Sequence, residues 1–174
     1  MRISQVILII MSLFNFFGCT MKFVNKTPIG QMFPSVQGQS LDKKIYNIPE
    51  DFLGEKVLFL IGFIQNTQFD IDRWTIGLDQ KSILVKTFEL PATQGLIPIY
   101  FKTRLDDSMR RGIPNEIWGG VITIYKDGQK IQEFTGNENP NNSRLVLIDE
   151  SGKVVFFHDR GFSVKALNEL NKSL

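Results

Sequence analysis

A nearly continuous apolar run, Val57–Ile64, dominates the middle of the chain. The run is long enough for a strand and too short for a typical helix, and apolar residues at successive positions are typical of a strand that is covered on both faces. A polar stretch at 65–68 follows, after which Ile71, Trp74 and Leu78 recur with the period of a helix. The pattern therefore predicts a central strand, a short loop and an amphipathic helix, with Trp74 in the core.

The start of this helix carries two residues with capping chemistry. Thr67 is followed by Asp70, which fits a capping box with Asp in place of the usual Glu. The charges of Asp70 and Asp72 also suit a helix N-terminus, and residues two apart on a helix do not face each other. Both aspartates are therefore predicted to stabilise the helix start instead of forming a ligand pair.

The rest of the chain alternates between short strand patterns and helix patterns. At 129–135 both are present, because Ile131 and Phe134 favour a short helix while the preceding Asp127-Gly128 favours a hairpin. We favour the helix there. The other predicted elements are an opening hairpin or two edge strands in 33–48, a helical turn at 49–54, a buried strand at 83–90, a strand at 121–125, a helix at 100–111 capped by Gly112, an antiparallel hairpin at 144–157 and a final helix capped by Ser163.

This order predicts one α/β domain over 33–174. We expect a central mixed sheet of four to five strands with helices on both faces. The strand at 57–64 should lie in the centre of that sheet.

The first twenty residues have the pattern of a signal peptide. Arg2 precedes an apolar stretch at 6–17 that is too short for a comfortable membrane span. The stretch ends at Phe16-Phe17-Gly18-Cys19, which resembles the lipobox of bacterial lipoproteins. That resemblance implies cleavage before Cys19 and attachment of diacylglycerol to its sulfur, with palmitate among the acyl chains. The alternatives are an uncleaved signal anchor in which Cys19 is incidental, or another targeting role.

The lipobox implies a domain organisation and a location. It predicts a signal peptide at 1–18 and a lipidated tether at 19–32, which is polar, aperiodic and contains Pro and Gly. The protein would be attached to a membrane of the bacterial envelope and face the periplasm. Because Thr20 is not the Asp that commonly retains lipoproteins at the inner membrane, we favour the outer membrane.

Composition and charge exclude several classes of partner. Apolar residues make up 43% of the chain and charged residues 22%, which is ordinary for a globular protein. The net charge is +2 with acids and bases interspersed, so nucleic acid is not expected as a partner. A single Cys excludes an intrachain disulfide and a thiolate-rich metal cluster.

The order of elements and two phrases resemble the thioredoxin-like superfamily. Gly54–Leu60 (GEKVLFL) is similar to the strand opening of TlpA-like thiol oxidoreductases and peroxiredoxins. Leu147–Val155 (LIDESGKVV) is similar to their hairpin. The resemblance covers about 33–174 and implies a thioredoxin-like fold.

A second resemblance is to the assembly-factor family of mitochondrial ATP synthase, whose domain is also thioredoxin-like. Its members share a strand end similar to Phe63-Ile64-Gln65 and a passage similar to Gly112-Ile113-Pro114, Trp118 and Ile122-Thr123-Ile124. This resemblance implies a role in the assembly of a membrane complex.

The chain differs from the redox families at the positions of their catalytic residues. Their Trp-Cys-x-x-Cys falls on Gln65–Phe69 (QNTQF), and their cis-proline falls on Ser143. Attack on a disulfide or peroxide needs a thiolate, so a redox activity is not expected. The copper-binding branch of the fold needs two Cys and a His and is excluded in the same way.

No other residue pattern predicts a catalytic or metal site, and we expect no cofactor. His158, the only histidine, lies beside Asp159 at a strand end, where a surface position is more common than a catalytic one. Trp118, between Ile117 and Gly119, is a candidate for a half-exposed contact residue. The residues predicted to contact a partner protein are Gln65, Asn66, Thr67, Gln68, Ser143 and Trp118.

The sequence thus favours a non-catalytic, thioredoxin-like envelope lipoprotein that binds or assists the assembly of another envelope or membrane protein. The alternatives are an enzyme that uses non-thiol groups in the same groove, or a degenerate thiol or peroxide oxidoreductase.

Overall fold

The computed structural model describes residues 23–93 and 101–174, and its centre is a four-stranded mixed sheet. The strands of this sheet are β3 (Val57–Gly62), β4 (Lys86–Pro91), β6 (Arg144–Ile148) and β7 (Val154–His158). Their order in the sheet is β4-β3-β6-β7. β3 is parallel to β4 and antiparallel to β6, and β6 forms the predicted hairpin with β7. Every residue of β3 is buried, so the prediction of a central strand covered on both faces is confirmed.

A smaller sheet packs beside the first. The opening hairpin is present as β1 (Val36–Ser40) and β2 (Ile45–Ile48), and β5 (Ile122–Thr123) pairs antiparallel with β1. Parallel bridges from Glu89 to Val121 and from Ala92 to Ile124 connect β4 to the ends of β5. The predicted strand at 121–125 therefore lies between the two sheets, and only two of its residues form a regular strand.

The described residues form four α-helices, which accompany the sheets. The segment at 129–135 is helical, as favoured, and Ser163 caps the last helix because its hydroxyl accepts a hydrogen bond from the Ala166 N–H at 3.1 Å. Within the described residues, none of the helices has the length and apolar character needed to cross a lipid bilayer. The helices are α1 (Gln68–Gln80), α2 (Lys102–Gly112), α3 (Gly128–Thr135) and α4 (Val164–Lys172).

The two faces of the central sheet bury separate apolar clusters, as expected when successive strand residues point to opposite sides. On one face, Leu58, Leu60 and Leu147 pack against residues of α1 and α4, including Trp74, which is fully buried. The other face packs against α3 and the smaller sheet. Helices thus cover both faces of the sheet, which confirms the predicted architecture.

Two predicted element ends are wrong. The strand predicted at 83–90 begins only at Lys86, and Leu84 is 94% exposed in the turn that precedes it. Only alternate residues of β4 are buried, because its one central-sheet neighbour is β3. Gly112 does not cap α2 from outside, since it is the last helical residue and Ile113 follows in extended conformation.

The N-terminal segment, 23–33, corrects the predicted tether. The Asn137 N–H donates to the Phe23 carbonyl at 2.7 Å, and the Gly30 N–H donates to the Val154 carbonyl at 2.8 Å. Residues 23–32 therefore lie along the domain instead of separating it from a membrane. The predicted signal peptide at 1–18, Cys19 and the remaining linker lie outside the described residues.

Candidate functional site

The candidate site lies at the carboxyl end of β3, where the chain turns into α1. One turn of 3-10 helix, Gln65–Thr67, joins the strand to the helix. Because Ile61 of β3 pairs with Arg144, the start of β6 lies beside the end of β3. The predicted loop and the segment near Ser143, which are far apart in sequence, are therefore brought together.

Thr67 connects these two segments. Its hydroxyl donates a hydrogen bond to the Pro140 carbonyl at 2.7 Å and accepts one from the Ile64 N–H at 3.4 Å. The side chain is buried and does not cap α1, so the predicted capping role of Thr67 is wrong. The hydroxyl is instead used for a contact that spans 73 positions of the sequence.

Asp70 was predicted to stabilise the helix start, and the structure gives it a different role. Its carboxylate is buried and accepts hydrogen bonds from the Ser143 N–H at 2.9 Å, the Ser143 hydroxyl at 2.7 Å and the Phe162 N–H at 2.8 Å. A buried carboxylate with three donors is satisfied. Ser143 is itself fully buried, so the prediction that its side chain contacts a partner is wrong.

Arg144 is a buried cation that the sequence analysis missed. Its guanidinium donates to the carbonyls of Gly136, Asn139 and Asn142 at 3.2, 2.8 and 2.5 Å. It also lies 5.6 Å from the centre of the Phe63 ring. Burial lowers the pKa of Arg144, and the charges of Asp70 and Asp159 oppose that shift. The one sequence signal for this buried residue was its position as the first residue of an otherwise apolar strand.

Glu89 of β4 is a second titratable group that the sequence analysis missed. The Gln68 amide donates to Glu89 at 3.4 Å and to Asp72 at 2.9 Å. Burial raises the pKa of Glu89, the hydrogen bond from Gln68 opposes this, and the charge of Asp72 adds to it. A carboxyl group that stays protonated to a higher pH than an ordinary Glu therefore lies beside the loop.

The exposed part of the site is built mainly from side-chain amides. Phe69 is 70% exposed and Ile64 44% exposed, so two apolar side chains lie among the amides. Three of the predicted contact residues, Gln65, Asn66 and Gln68, are exposed as expected, whereas Thr67 is not. We call this surface the amide face; its residues are Ile64, Gln65, Asn66, Gln68, Phe69, Asn139 and Asn141.

Trp118 is half-buried, as predicted, but it belongs to a different surface. Its indole N–H donates to the Ile113 carbonyl at 2.9 Å, and the Arg110 guanidinium lies 5.7 Å from its ring. The shallow cavity beside it is lined by residues of the β1–β2 turn, including Leu41 and Asp42. The prediction that Trp118 shares one contact surface with the loop is not supported by any of these contacts.

His158 has a structural environment at the end of β7. One ring nitrogen lies 2.8 Å from the Gly161 carbonyl, and the ring packs edge-on against Trp74 with centroids 5.5 Å apart. Across 23–93 and 101–174, no group of three or more His, Cys, Asp or Glu residues is placed to hold a metal ion. These contacts identify no catalytic arrangement around the histidine.

Comparison with known proteins finds similarity in structure only. No protein-family model matches the chain, and no curated protein sequence matches it. The structure of the exposed lipoprotein thioredoxin Etrx1 from Streptococcus pneumoniae matches with a TM-score of 0.55 and 14% identity, over 81% of this chain and 100% of that one. BsSco, described as a member of the Sco family of cytochrome c oxidase assembly proteins, matches with a TM-score of 0.57 and 14% identity, over 86% and 95%.

A thiol peroxidase from Chromobacterium violaceum is also similar. It matches with a TM-score of 0.55 and 13% identity, over 89% of this chain and 93% of that one. Identities this low establish a common fold and leave the activity open. The similarity to a lipoprotein thioredoxin, a member of a family of assembly proteins and a thiol peroxidase, together with the strand order, confirms the predicted fold: the chain has a thioredoxin-like architecture.

Proposed function

We propose that the protein is a non-catalytic, thioredoxin-like lipoprotein of the bacterial envelope that binds another envelope or membrane protein and assists its assembly. The observation that carries the proposal is the loop at the end of β3, where Gln65, Asn66 and Gln68 are exposed amides. The only Cys among 174 residues is Cys19, far from this loop in sequence.

Thiol chemistry is disfavoured on physical grounds. Disulfide exchange and peroxide reduction both begin with attack by a thiolate, and an amide cannot replace it. Resolving the resulting intermediate would need a second thiol in addition. The loop is therefore better suited to non-covalent contact.

Binding is supported by the way the amide face is held. The Thr67–Pro140 and Asp70–Ser143 hydrogen bonds fix the two segments that carry it. A surface that is rigid before binding loses less conformational entropy when a partner docks. The assembly role is supported by the resemblance to ATP synthase assembly factors and by the structural similarity to BsSco, itself described as an assembly protein.

The lipoprotein part of the proposal comes from the N-terminal sequence pattern. The apolar stretch at 6–17 followed by Gly18-Cys19 supports acylation of Cys19. Thr20, in place of an Asp that would retain the protein at the inner membrane, favours the outer membrane as its final location. Two or three acyl chains at about 0.8 kcal/mol per buried methylene would hold a domain of this size firmly. Mass spectrometry of the native protein tests this, since an acylated N-terminal Cys19 is expected and an intact Met1 with a free thiol would refute it.

Crosslinking in intact cells tests the binding function. We expect wild-type protein to recover a defined envelope protein, and the variant Asn66→Arg, which adds a charge to the amide face, to lose it. Leu84→Arg is the matched control, because Leu84 is exposed at the opposite end of the sheet. Equal recovery by both variants, or robust insulin reduction by the wild type, would contradict the proposal.

One observation favours a second candidate, an enzyme without thiol chemistry. Burial raises the pKa of Glu89 beside the loop, which is the property of a general acid. This candidate predicts that Glu89→Gln abolishes a hydrolytic or isomerase activity in an activity screen while partner recovery is unchanged. Loss of partner recovery without any measurable activity would favour the binding function.

A further inference from the structure

The chain enters the fold at the end of the sheet that carries the amide face. Besides the contact of Phe23 with Asn137, the Glu138 N–H donates to the Asn25 side chain at 3.0 Å, and the Lys26 N–H donates to the Thr135 carbonyl at 3.2 Å. The segment then runs along the domain to Gly30, which contacts β7 at the opposite end of the sheet. The entry point of the chain is thus next to the loop that leads to Ser143.

Arg144 ties this entry point to the amide face. One of its terminal nitrogens lies 3.5 Å from the Asn25 side-chain oxygen, and the other donates to the Asn139 carbonyl at 2.8 Å. Gly136 packs so closely that a Cβ there would collide with the backbone of Val24 and Asn25. The N-terminal segment therefore cannot move away from the amide face without breaking the contact between Asn25 and this buried cation.

The linker to a membrane anchor at Cys19 is short. Three residues separate Cys19 from Phe23, so the two are four positions apart, and a fully extended chain spans at most about 14 Å over that distance. A domain of this size has a diameter of roughly 40 Å, because the diameter of a compact domain is between two and three times its radius of gyration. Only the half of the domain around Phe23 can therefore lie near the bilayer. An uncleaved anchor ending before Cys19 would impose nearly the same restriction.

We propose that the amide face is held towards the membrane surface and binds the membrane-adjacent part of an integral membrane protein, not a soluble periplasmic protein. This inference rests on the proposed function, because it needs the membrane attachment of the N-terminus. It adds the orientation of the domain and the class of partner. Neither follows from the fold alone, since a thioredoxin-like domain on a long linker could present its groove in any direction.

The chemistry of the amide face favours a protein over lipid head groups as the occupant. Segments 63–69 and 136–143 contain no Lys or Arg, and Glu138 adds a negative charge. Adsorption to anionic lipids depends on clusters of basic residues, each contributing about 1 kcal/mol. Uncharged amides with Ile64 and Phe69 between them instead match a protein segment that offers backbone hydrogen bonds and small apolar contacts.

Energy transfer to a labelled membrane tests the orientation. Acylated full-length Asn66→Cys and Leu84→Cys each carry one free thiol for a donor dye, because Cys19 is blocked by lipid. The two positions lie at opposite ends of β3, whose six residues span about 20 Å. In vesicles of phosphatidylethanolamine and phosphatidylglycerol with a rhodamine-labelled lipid, we expect several-fold more transfer from position 66. Equal transfer, or more from position 84, overturns the proposed orientation.

A lengthened linker provides the second variant. About 20 Gly and Ser residues inserted between Met21 and Lys22 have an average span of about 25 Å, enough to release the domain from its orientation. We expect the difference between the two positions to shrink greatly. If the difference in energy transfer persists, the amide face itself binds lipid, and this result would overturn the proposal of a protein partner.

Photocrosslinking in intact cells tests the class of partner. A benzophenone amino acid at Asn66 should give adducts with an integral membrane protein, and the same group at Leu84 should not. Adducts of position 66 with soluble periplasmic proteins alone, or with lipid alone, overturn the inference. If the protein is not acylated and does not sediment with membranes, the lipoprotein proposal has failed; if it is acylated and misoriented, only this inference has failed.

Discussion

The carboxylate of Asp70 accepts two hydrogen bonds from Ser143, one from its backbone N–H at 2.9 Å and one from its hydroxyl at 2.7 Å. A third donor, the Phe162 N–H, lies 2.8 Å away. One side chain in the first turns of α1 therefore fixes the start of β6 and the approach to α4. The site at the end of β3 is held by this residue, although it is hidden from the surface.

Replacing Asp70 by Asn should destabilise the protein measurably. The amide keeps one acceptor oxygen but directs its NH2 group at N–H donors, so charge-assisted bonds worth about 1.5–3 kcal/mol are lost. Urea unfolding should show a loss of free energy of unfolding in that range. Asp72→Asn is the control, because Asp72 is exposed and should change stability by less than about 0.5 kcal/mol. Equal effects of the two variants would contradict the structural role of Asp70.

Arg144→Met should loosen the loop at 136–142 more than the rest of the domain. Three backbone carbonyls lose a donor, and the free energy of unfolding should fall by about 3 kcal/mol. Hydrogen exchange should increase first at 136–142 and at the N-terminal segment. Arg160→Met, which alters an exposed arginine, should leave both measurements nearly unchanged. Uniformly faster exchange without a local effect would contradict the conclusion that Arg144 stabilises the loop at 136–142.

The unmodified protein should neither reduce the disulfides of insulin nor consume peroxide. The double variant Asn66→Cys with Phe69→Cys places a dithiol at the two positions where the redox families have cysteine, next to a helix start, which lowers a thiol pKa. We expect weak reductase activity from it, limited by Ser143 at the position where the redox families have proline. The single variant Asn66→Cys, which lacks a resolving thiol, is the control and should stay inactive. Robust turnover by wild-type protein would show that another group supplies the chemistry.

Glu89 should make stability fall as pH rises. Burial raises the pKa of Glu89 above the ordinary value of 4.5. Between pH 4.5 and the raised pKa, the folded protein therefore retains a proton that the unfolded chain has released. Stability from this group is present below the ordinary pKa and lost as pH increases through the raised one. The free energy of unfolding of Glu89→Gln should therefore increase relative to that of the wild type as pH rises above about 4.5, measured by urea unfolding. The exposed control Glu50→Gln should follow the wild type, and a decline in Glu89→Gln equal to that of the wild type would contradict this assignment.

The regular elements were predictable because their periods are local. The apolar run at 57–64, the hairpin phrase at 144–157 and the spacing of Ile131 and Phe134 each identify one element without reference to the rest of the chain. The structure confirms all three. Their order was then sufficient for the fold class, since connection rules leave few arrangements of such a sheet.

The site was only partly predictable because its contacts are not local. The loop could be located from the end of the central strand, but the pairing of Asp70 with Ser143 spans 73 positions and leaves no periodic trace. A local rule assigned Asp70 to helix capping, which is the commoner use of an Asp at that place. Trp118 was grouped with the loop from residue type alone, and its contacts lie elsewhere.

The docked N-terminal segment, 23–32, also limits how far the chain can be shortened with its polar groups still satisfied. A version trimmed to begin at Phe33 would leave the carbonyls of Thr135 and Val154 and the N–H groups of Asn137 and Glu138 without their partners. The close-fitting surface at Gly136 would be uncovered at the same time. Any shortened form intended for binding studies must therefore retain residues 23–32.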